Sequence, residues 1–233
     1  MSEAKLARAR RRMLGEIAAD MRSCAVATGR DTLSPRVLAA LEAVPRHRFV
    51  PREMEPFAYE NRPLAIGLGQ TISQPFIVAL MTDMLDLRPG DVVLEVGTGS
   101  GYQAAVLAQL AQQVYSVENL PELARTARAH LEQLGYRNVE VRTGDGHQGW
   151  AAHAPYDAVI VTAAAPEVPP ALLDQLKPGG RMMIPVGQRY ATQDLVLITR
   201  DAAGEIHRRS VLPVAFVPLV DAGTAGADAA QLH

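Results

Sequence analysis

Apolar positions near the start of the chain recur at helical spacing. Leu6, Met13, Leu14, Ile17 and Met21 mark one face, with charged residues around the rest. The pattern predicts a helix reaching to about Ala27, broken by the stretch 29–32. Ser34 before Pro35 is a cap followed by proline at the first helical position, and Pro45 requires that short helix to end near Val44. Periodicity then disappears from 46 to 74, where Pro51, Pro56 and Pro63 follow Pro45. This reads as an ordered loop with short strand or turn pieces, and so long a loop in a compact domain is usually functional. From Pro75 a helix runs to about Asp86, and R-P-G-D at 88–91 turns the chain into a strand.

From there strands and helices alternate: strand 92–96, helix 102–111, strand 114–118, helix 121–134, strands 139–142 and 157–161, a short helix opening at Pro169 and Pro170, then strand 181–185. Such alternation of β-branched runs with helices predicts an α/β fold with a doubly wound, mostly parallel sheet. The end departs from it. Strands 194–199 and 210–217 are joined through D-A-A-G at 201–204, too close for a helical crossover, so the sheet should finish with an antiparallel pair. The organisation expected is an N-terminal helical segment with a functional loop over 1–74, a core over 75–220 and a flexible Gly- and Ala-rich tail over 221–233, in one structural domain.

The first core strand carries the most specific local signal. In V-V-L-E-V-G-T-G-S-G-Y at 92–102, Gly97, Gly99 and Gly101 alternate directly after the strand, so no Cβ keeps the backbone from a ligand. A dinucleotide fingerprint would need its third glycine at 102, where Tyr102 stands, which disfavours NAD. Glu95 inside the strand end and Gly101 closing the loop suit a ligand with an ammonium group and no phosphate, such as S-adenosylmethionine. Glu118, ending the next strand, can accept both ribose hydroxyls, although NAD proteins share that acid. Asp145, before Gly146 at the end of a third strand, is a candidate acceptor for an adenine amino group. Each also has a plain reading as a turn or a solvated strand end.

Length and charge narrow the class without naming a partner. The 233 residues allow one large domain, and a net charge of −2 with 48% apolar residues gives no support for a nucleic-acid coat. Arg8, Arg10, Arg11 and Arg12 form a basic cluster that fits a solvated helix end. The single Cys24 rules out an intrachain disulfide and fits a reducing compartment. The opening M-S-E-A-K lacks the apolar core of a signal peptide and no run is long enough to span a membrane, so the expectation is cytoplasmic. The histidines never fall at metal-ligand spacing with one another or with the thiol, and no metal is expected.

Q-T-I-S-Q-P at 70–75 resembles the signature of the protein-L-isoaspartate O-methyltransferase family. V-P-R-H-R-F-V-P at 44–51, L-E-V-G-T-G-S-G-Y at 94–102, G-D-G at 144–146, Y-D-A-V-I-V-T-A-A-A-P at 156–166, L-K-P-G-G-R at 176–181, P-V-G at 185–187 and F-V-P-L at 216–219 stand in the family's order, so the resemblance covers about 33–220. It implies a Rossmann-like class I methyltransferase sheet preceded by N-terminal helices. It also implies methyl transfer from S-adenosylmethionine, leaving S-adenosylhomocysteine, to the α-carboxylate of L-isoaspartyl residues in damaged proteins and peptides. By the same resemblance Ser73 takes the position of the active-site serine. Thr71 and Ile72 adjoin the cofactor, and Glu95, Gly97, Thr98, Gly99, Gly101, Glu118, Asp145 and Gly146 hold it. Partners are damaged proteins, with neither nucleic acid nor membrane, and the protein is expected to be a monomer. His147, where many relatives carry an aromatic, is a departure beside the adenine pocket.

The chemistry fits what the chain supplies. An acceptor α-carboxylate, with a reference pKa of about 3.5, is ionised at neutral pH and needs no general base. Neither 70–74 nor 162–166 contains a histidine or lysine. What remains is positioning. One hydrogen bond from Ser73 would orient the nucleophile, while Ser-x-Pro ahead of a helix is equally a capping signal. The small residues of T-A-A-A-P at 162–166 either admit an extended peptide or pack under a helix. F-V-P-L either walls the same cleft or ends the last strand. Two other functions stay open on residues alone: methylation of RNA or a small molecule on the same scaffold, and a non-catalytic module that binds damaged protein.

Overall fold

A computed structural model of the protein describes residues 2–188 and 191–220. The expected tail over 221–233 lies outside the described residues.

Helix α1 (Glu3–Ser23) buries Leu6, Met13, Ile17 and Met21, the face read from the pattern, each contributing about 1.5–3 kcal/mol when fully buried. It ends four residues before the expected Ala27. At Cys24 the backbone leaves the helix, and α2 (Ala25–Thr28) is a single turn closed by Gly29 in the left-handed region. The Thr28 hydroxyl donates to the carbonyl of Arg30 and leads the chain away. Helix α3 (Pro35–Ala43) starts as predicted, with Ser34 Oγ accepting from the amide of Val37.

The stretch 46–74 holds two short 3-10 turns, Arg46–Phe49 and Arg52–Phe57, and a hairpin of β1 (Leu64–Gly67) and β2 (Gln70–Ile72). Among the described residues the hairpin pairs only with itself. It feeds α4 (Pro75–Met84), every residue of which is buried, so the loop before it is anchored to a rigid element.

The main sheet contains β3 (Val92–Val96), β4 (Gln113–Glu118), β5 (Val139–Thr143), β6 (Tyr156–Val161), β7 (Leu176–Val186), β8 (Gln193–Arg200) and β9 (Ile206–Val214), in the order β5-β4-β3-β6-β7-β8-β9. The pairs from β5 to β7 are parallel, and β7-β8-β9 is an antiparallel meander. This is the Rossmann-like arrangement expected. The crossovers hold α5 (Tyr102–Ala108), α6 (Pro121–Gln133) and α7 (Pro170–Asp174). Helix α5 stops at Ala108 rather than 111, where the side chain of Asn138 donates to the Ala108 and Ala111 carbonyls. The last strand covers Ile206–Val214, not 210–217, because Phe216 turns away to bond the side chain of Gln193.

One apolar cluster runs from Leu6 and Met13 through Leu80 to Val93 and Met183, so the N-terminal helices and the sheet share a core. The chain leaves β3 toward β4 and β5, then returns to β6 on the other side. Open α/β sheets bind ligands at the carboxyl ends of strands at such a reversal.

Candidate active site

The loop after β3 is held open by its neighbours. Gly97 has φ +94°, and a Cβ there would lie 2.5 Å from Thr162 Oγ1. Gly97 N donates to Val117 O, and Thr162 N to Val96 O, continuing the parallel ladders past the strand ends. Gly101 works differently. It caps α5 at φ +87°, and its missing side chain lets Ala127 and Leu131 of α6 approach to 3.4 Å of the Cβ position.

Glu118 closes the other side of the loop. Its Oε2 accepts from Gly99 N at 2.8 Å and its Oε1 from Leu120 N at 3.0 Å. A carboxylate has about four acceptor sites, so two stay available for hydroxyls. At 7% exposure Glu118 is no solvated strand end.

The elements border a partly open cavity with about 770 Å³ of empty space, part of it open to solvent. Of the residues singled out from sequence, Thr71, Ile72, Ser73, Gly97, Thr98, Gly99, Glu118 and Gly146 line it. Glu118 is its one charged lining residue among the described residues, which favours a cationic ligand. The roof comes from Val217, Pro218, Leu219 and Val220, tied down by Ala164 N to Val217 O, Leu219 N to Ala164 O, and Asn119 Nδ2 to Val220 O. F-V-P-L is therefore a wall. Asn119 and Leu120 also line the cavity and were missed by the sequence reading; the signal was Pro121, which as the first residue of α6 leaves 119–120 at the sheet's carboxyl edge.

Glu95, Gly101 and Asp145 do not line the cavity. The parallel register sets Glu95 beside Ser116, whose hydroxyl donates to Glu95 Oε2, and Thr98 Oγ1 lies 2.5 Å from the same hydroxyl. Glu95 thus braces the glycine loop from beneath. Asp145 Oδ1 accepts from His147 N and lies 3.0 Å from His147 Nδ1, capping the turn Gly146–Gln148.

Complete burial raises Glu95 from its ordinary 4.5 to about 8, against the weaker opposing effect of the Ser116 hydrogen bond. Between these values the folded carboxyl keeps a proton that the unfolded one has lost, so stability falls as pH rises through that window. Glu95→Gln, neutral at every pH, removes this dependence. Thermal denaturation across a pH series should show the variant's melting temperature gaining on the parent by roughly several degrees between the two values. Parallel curves would mean that Glu95 is ionised in the folded protein.

A second cleft, of about 970 Å³, adjoins the first. Thr71, Ser73, Thr162 and Val217 line both. The rest of its wall includes Pro63, Gln74, Ile77, Pro213 and Phe216, with no charged side chain among the described residues. Of the three hydroxyls on the shared wall, Thr162 already donates to Gly97 O at 2.6 Å. Thr71 and Ser73 hydroxyls have no partner among the described residues, and the cap position of α4 is Gln74. Ser73 is therefore not the helix cap. Its hydroxyl is free to donate on a surface common to both cavities.

Known proteins match this chain over nearly its whole length. A family model described as protein-L-isoaspartate(D-aspartate) O-methyltransferase (PCMT) matches residues 25–224. The chain is 57% identical over 215 residues to protein-L-isoaspartate O-methyltransferase 1 of Cupriavidus necator, covering 92% of this chain and 83% of that protein. It is 56% identical over 211 residues to protein-L-isoaspartate O-methyltransferase 2 of Syntrophobacter fumaroxidans, covering 91% and 85%. A solved structure named protein-L-isoaspartate O-methyltransferase is similar with a TM-score of 0.78 at 27% identity, over 90% of this chain and 66% of that one. A Plasmodium falciparum structure in complex with S-adenosyl-L-homocysteine has a TM-score of 0.71 at 24% identity, a likeness of fold.

Proposed function

The chain belongs to the protein-L-isoaspartate(D-aspartate) O-methyltransferase family, and on that premise we propose that it carries out the family's reaction at the wall shared by its two cavities, with Ser73 orienting the acceptor. Its activity is transfer of the methyl group of S-adenosylmethionine to the α-carboxylate of L-isoaspartyl residues in damaged proteins and peptides. When bound, S-adenosylmethionine supplies an electrophilic methyl on a sulfonium centre and leaves as S-adenosylhomocysteine.

The larger part of the work is geometric. Gly97, Thr98 and Gly99 would present backbone to the donor, with Gly146, Thr71 and Ile72 around it, and Glu118 would accept the ribose hydroxyls. Glu95 and Gly101 would keep the loop in shape, and Asp145, set back from the cavity, would hold the turn that presents Gly146. Ser73 donates to one oxygen of the acceptor carboxylate and aims the other at the methyl. No proton has to be removed, in keeping with two cavities lined by no histidine, lysine or arginine among the described residues. A neutral hydroxyl orients the anion without holding its charge as a cation would, and the roof formed by 217–220 keeps water from the transfer.

The observation that carries this reading is the junction of a donor cavity, whose charge favours a cation, with an uncharged cleft across Ser73. Labelled S-adenosylmethionine with matched peptides differing only in aspartyl or isoaspartyl linkage tests it. Base-labile methyl ester is expected on the isoaspartyl peptide alone; equal labelling of both, or transfer to RNA instead, would sink it.

Further expectations attach to the same reading. Segment 1–74 supplies the acceptor loop and 75–220 the donor core of one structural unit, supported by their common apolar cluster. Among the described residues no helix is long and apolar enough to cross a membrane, and the lone Cys24 fits a cytoplasmic setting. A net charge of −2 gives nucleic acid no evident footing.

A further inference from the structure

A buried guanidinium stands behind the acceptor loop, and the reaction as described makes no use of it. Arg46 begins the first 3-10 turn and is wholly inaccessible to solvent. Its Nε donates to Ala58 O at 2.9 Å and its Nη2 to Ser73 O at 2.8 Å, carbonyls 12 and 27 residues further along the chain. Its Cζ lies 4.9 Å from the ring centroid of Tyr102, the first residue of α5 and part of the donor cavity's lining. No carboxylate pairs with it among the described residues, and Nη1 is buried without a hydrogen-bond partner. Burial lowers its pKa only to about 10, so it is charged at neutral pH.

A cation taken out of water and met only by neutral groups is a poor device for stability, since an apolar side chain of similar length would fill the space without the desolvation cost. What methionine cannot do is donate to two carbonyls at once through a rigid planar fork and stack on an aromatic face. The place where this happens matters. Among the described residues the β1–β2 hairpin is not hydrogen-bonded into the main sheet, and an isolated two-stranded hairpin is marginal alone. Ladder bonds therefore do not set the distance between Ser73 and the glycine loop. The Arg46 fork, fixed to Ser73 at one end and stacked on the start of α5 at the other, spans that gap.

We propose that Arg46 is a positioning residue for methyl transfer, clamping the Ser73 backbone to the donor helix so that hydroxyl and methyl donor keep one spacing. The proposal rests on Ser73 orienting the acceptor carboxylate. Arg46→Lys keeps the charge without the fork, and Arg46→Met keeps the bulk alone. Displacements of about 1 Å cost up to about 100-fold in rate, so turnover on an isoaspartyl peptide should fall about tenfold in Arg46→Lys and about 100-fold in Arg46→Met. Affinity for S-adenosylhomocysteine, measured by calorimetry, should stay within about threefold, because Glu118 and the glycine loop make no contact with Arg46 and no lining side chain is replaced. Amide hydrogen exchange at 70–74 should quicken in both variants.

The double variant decides the matter. With Ser73 already replaced by alanine, Arg46→Lys should cost less than about twofold in turnover, since the group it positions is gone. An undiminished tenfold cost in that background, or an Arg46→Lys enzyme with lowered melting temperature and parental turnover below it, would overturn the clamp and leave Arg46 a packing residue. If Arg46→Met does not fold, the lysine variant carries the test by itself. Parental turnover in Ser73→Ala alone would instead overturn the reading of Ser73 and the clamp together, an outcome distinct from additive losses.

Discussion

Ser73→Ala is expected to lower turnover on an isoaspartyl peptide by about 10- to 100-fold, the worth of one hydrogen bond to a charged group of about 1.5–3 kcal/mol. The loss should fall on the acceptor side alone. The Ser73 hydroxyl supports no helix cap and meets no protein partner among the described residues, so its removal leaves no donor or acceptor stranded in the fold. The backbone contact of this residue, its carbonyl on Arg46, survives the substitution. Melting temperature and S-adenosylhomocysteine affinity should therefore match the parent, while an excess of peptide should not restore the rate if orientation rather than binding is lost. Steady-state kinetics with calorimetry separates these outcomes. A large fall in cofactor affinity or in stability would make Ser73 structural. Full activity would move the orienting role to Thr71, the other uncommitted hydroxyl on the shared wall.

Glu118→Gln is expected to act on the opposite partner. The carboxylate uses one oxygen for Gly99 N and the other for Leu120 N. A carboxamide offers a single oxygen, so one of the amides must face an NH₂ group at a nearly buried site. The glycine loop is loosened, and the anion that would accept two ribose hydroxyls is gone. At about 1.5–3 kcal/mol for a hydrogen bond to a charged group, the dissociation constant for S-adenosylhomocysteine should rise about 100-fold. Turnover at saturating donor should recover much of the parental value, since neither Ser73 nor the acceptor cleft is altered. Calorimetric affinity within about threefold of the parent would show that Glu118 merely finishes the strand.

The pair of variants thus divides the site along the wall between its cavities. Ser73 should register in turnover and Glu118 in donor affinity. A protein that only bound damaged chains would register neither in methyl transfer.

Most of the architecture was legible along the chain because it depends on short-range preferences. Apolar spacing in α1, Ser34 with Pro35 opening α3, the β-branched run of β3, and glycines that alone tolerate the loop's left-handed backbone are each readable within about ten residues. The order of strands and helices then leaves few ways to wind the sheet, and the short D-A-A-G link makes the last pair antiparallel. Element ends were less legible. At Cys24 the backbone itself departs from helical dihedrals, while at Ala108 and Val214 a side chain from elsewhere competes for the backbone: Asn138 takes the carbonyl of Ala108, and Gln193 takes the amide of Phe216.

That a glycine-lined rim with Glu118 closes one edge of a mostly parallel sheet follows from the order of residues alone, since strand, loop and acid are local features. Which residues face the cavity emerges from folding: Glu95 and Asp145 turn to Ser116 and His147, Ser73 is relieved of the capping role, and residues 217–220 become a roof. The physical reason is sequence distance. The bonds that make the roof join Ala164 to Leu219 and Asn119 to Val220, and the fork of Arg46 reaches Ser73 27 residues away, contacts that no periodicity encodes and that form only once the shared core has brought these segments together.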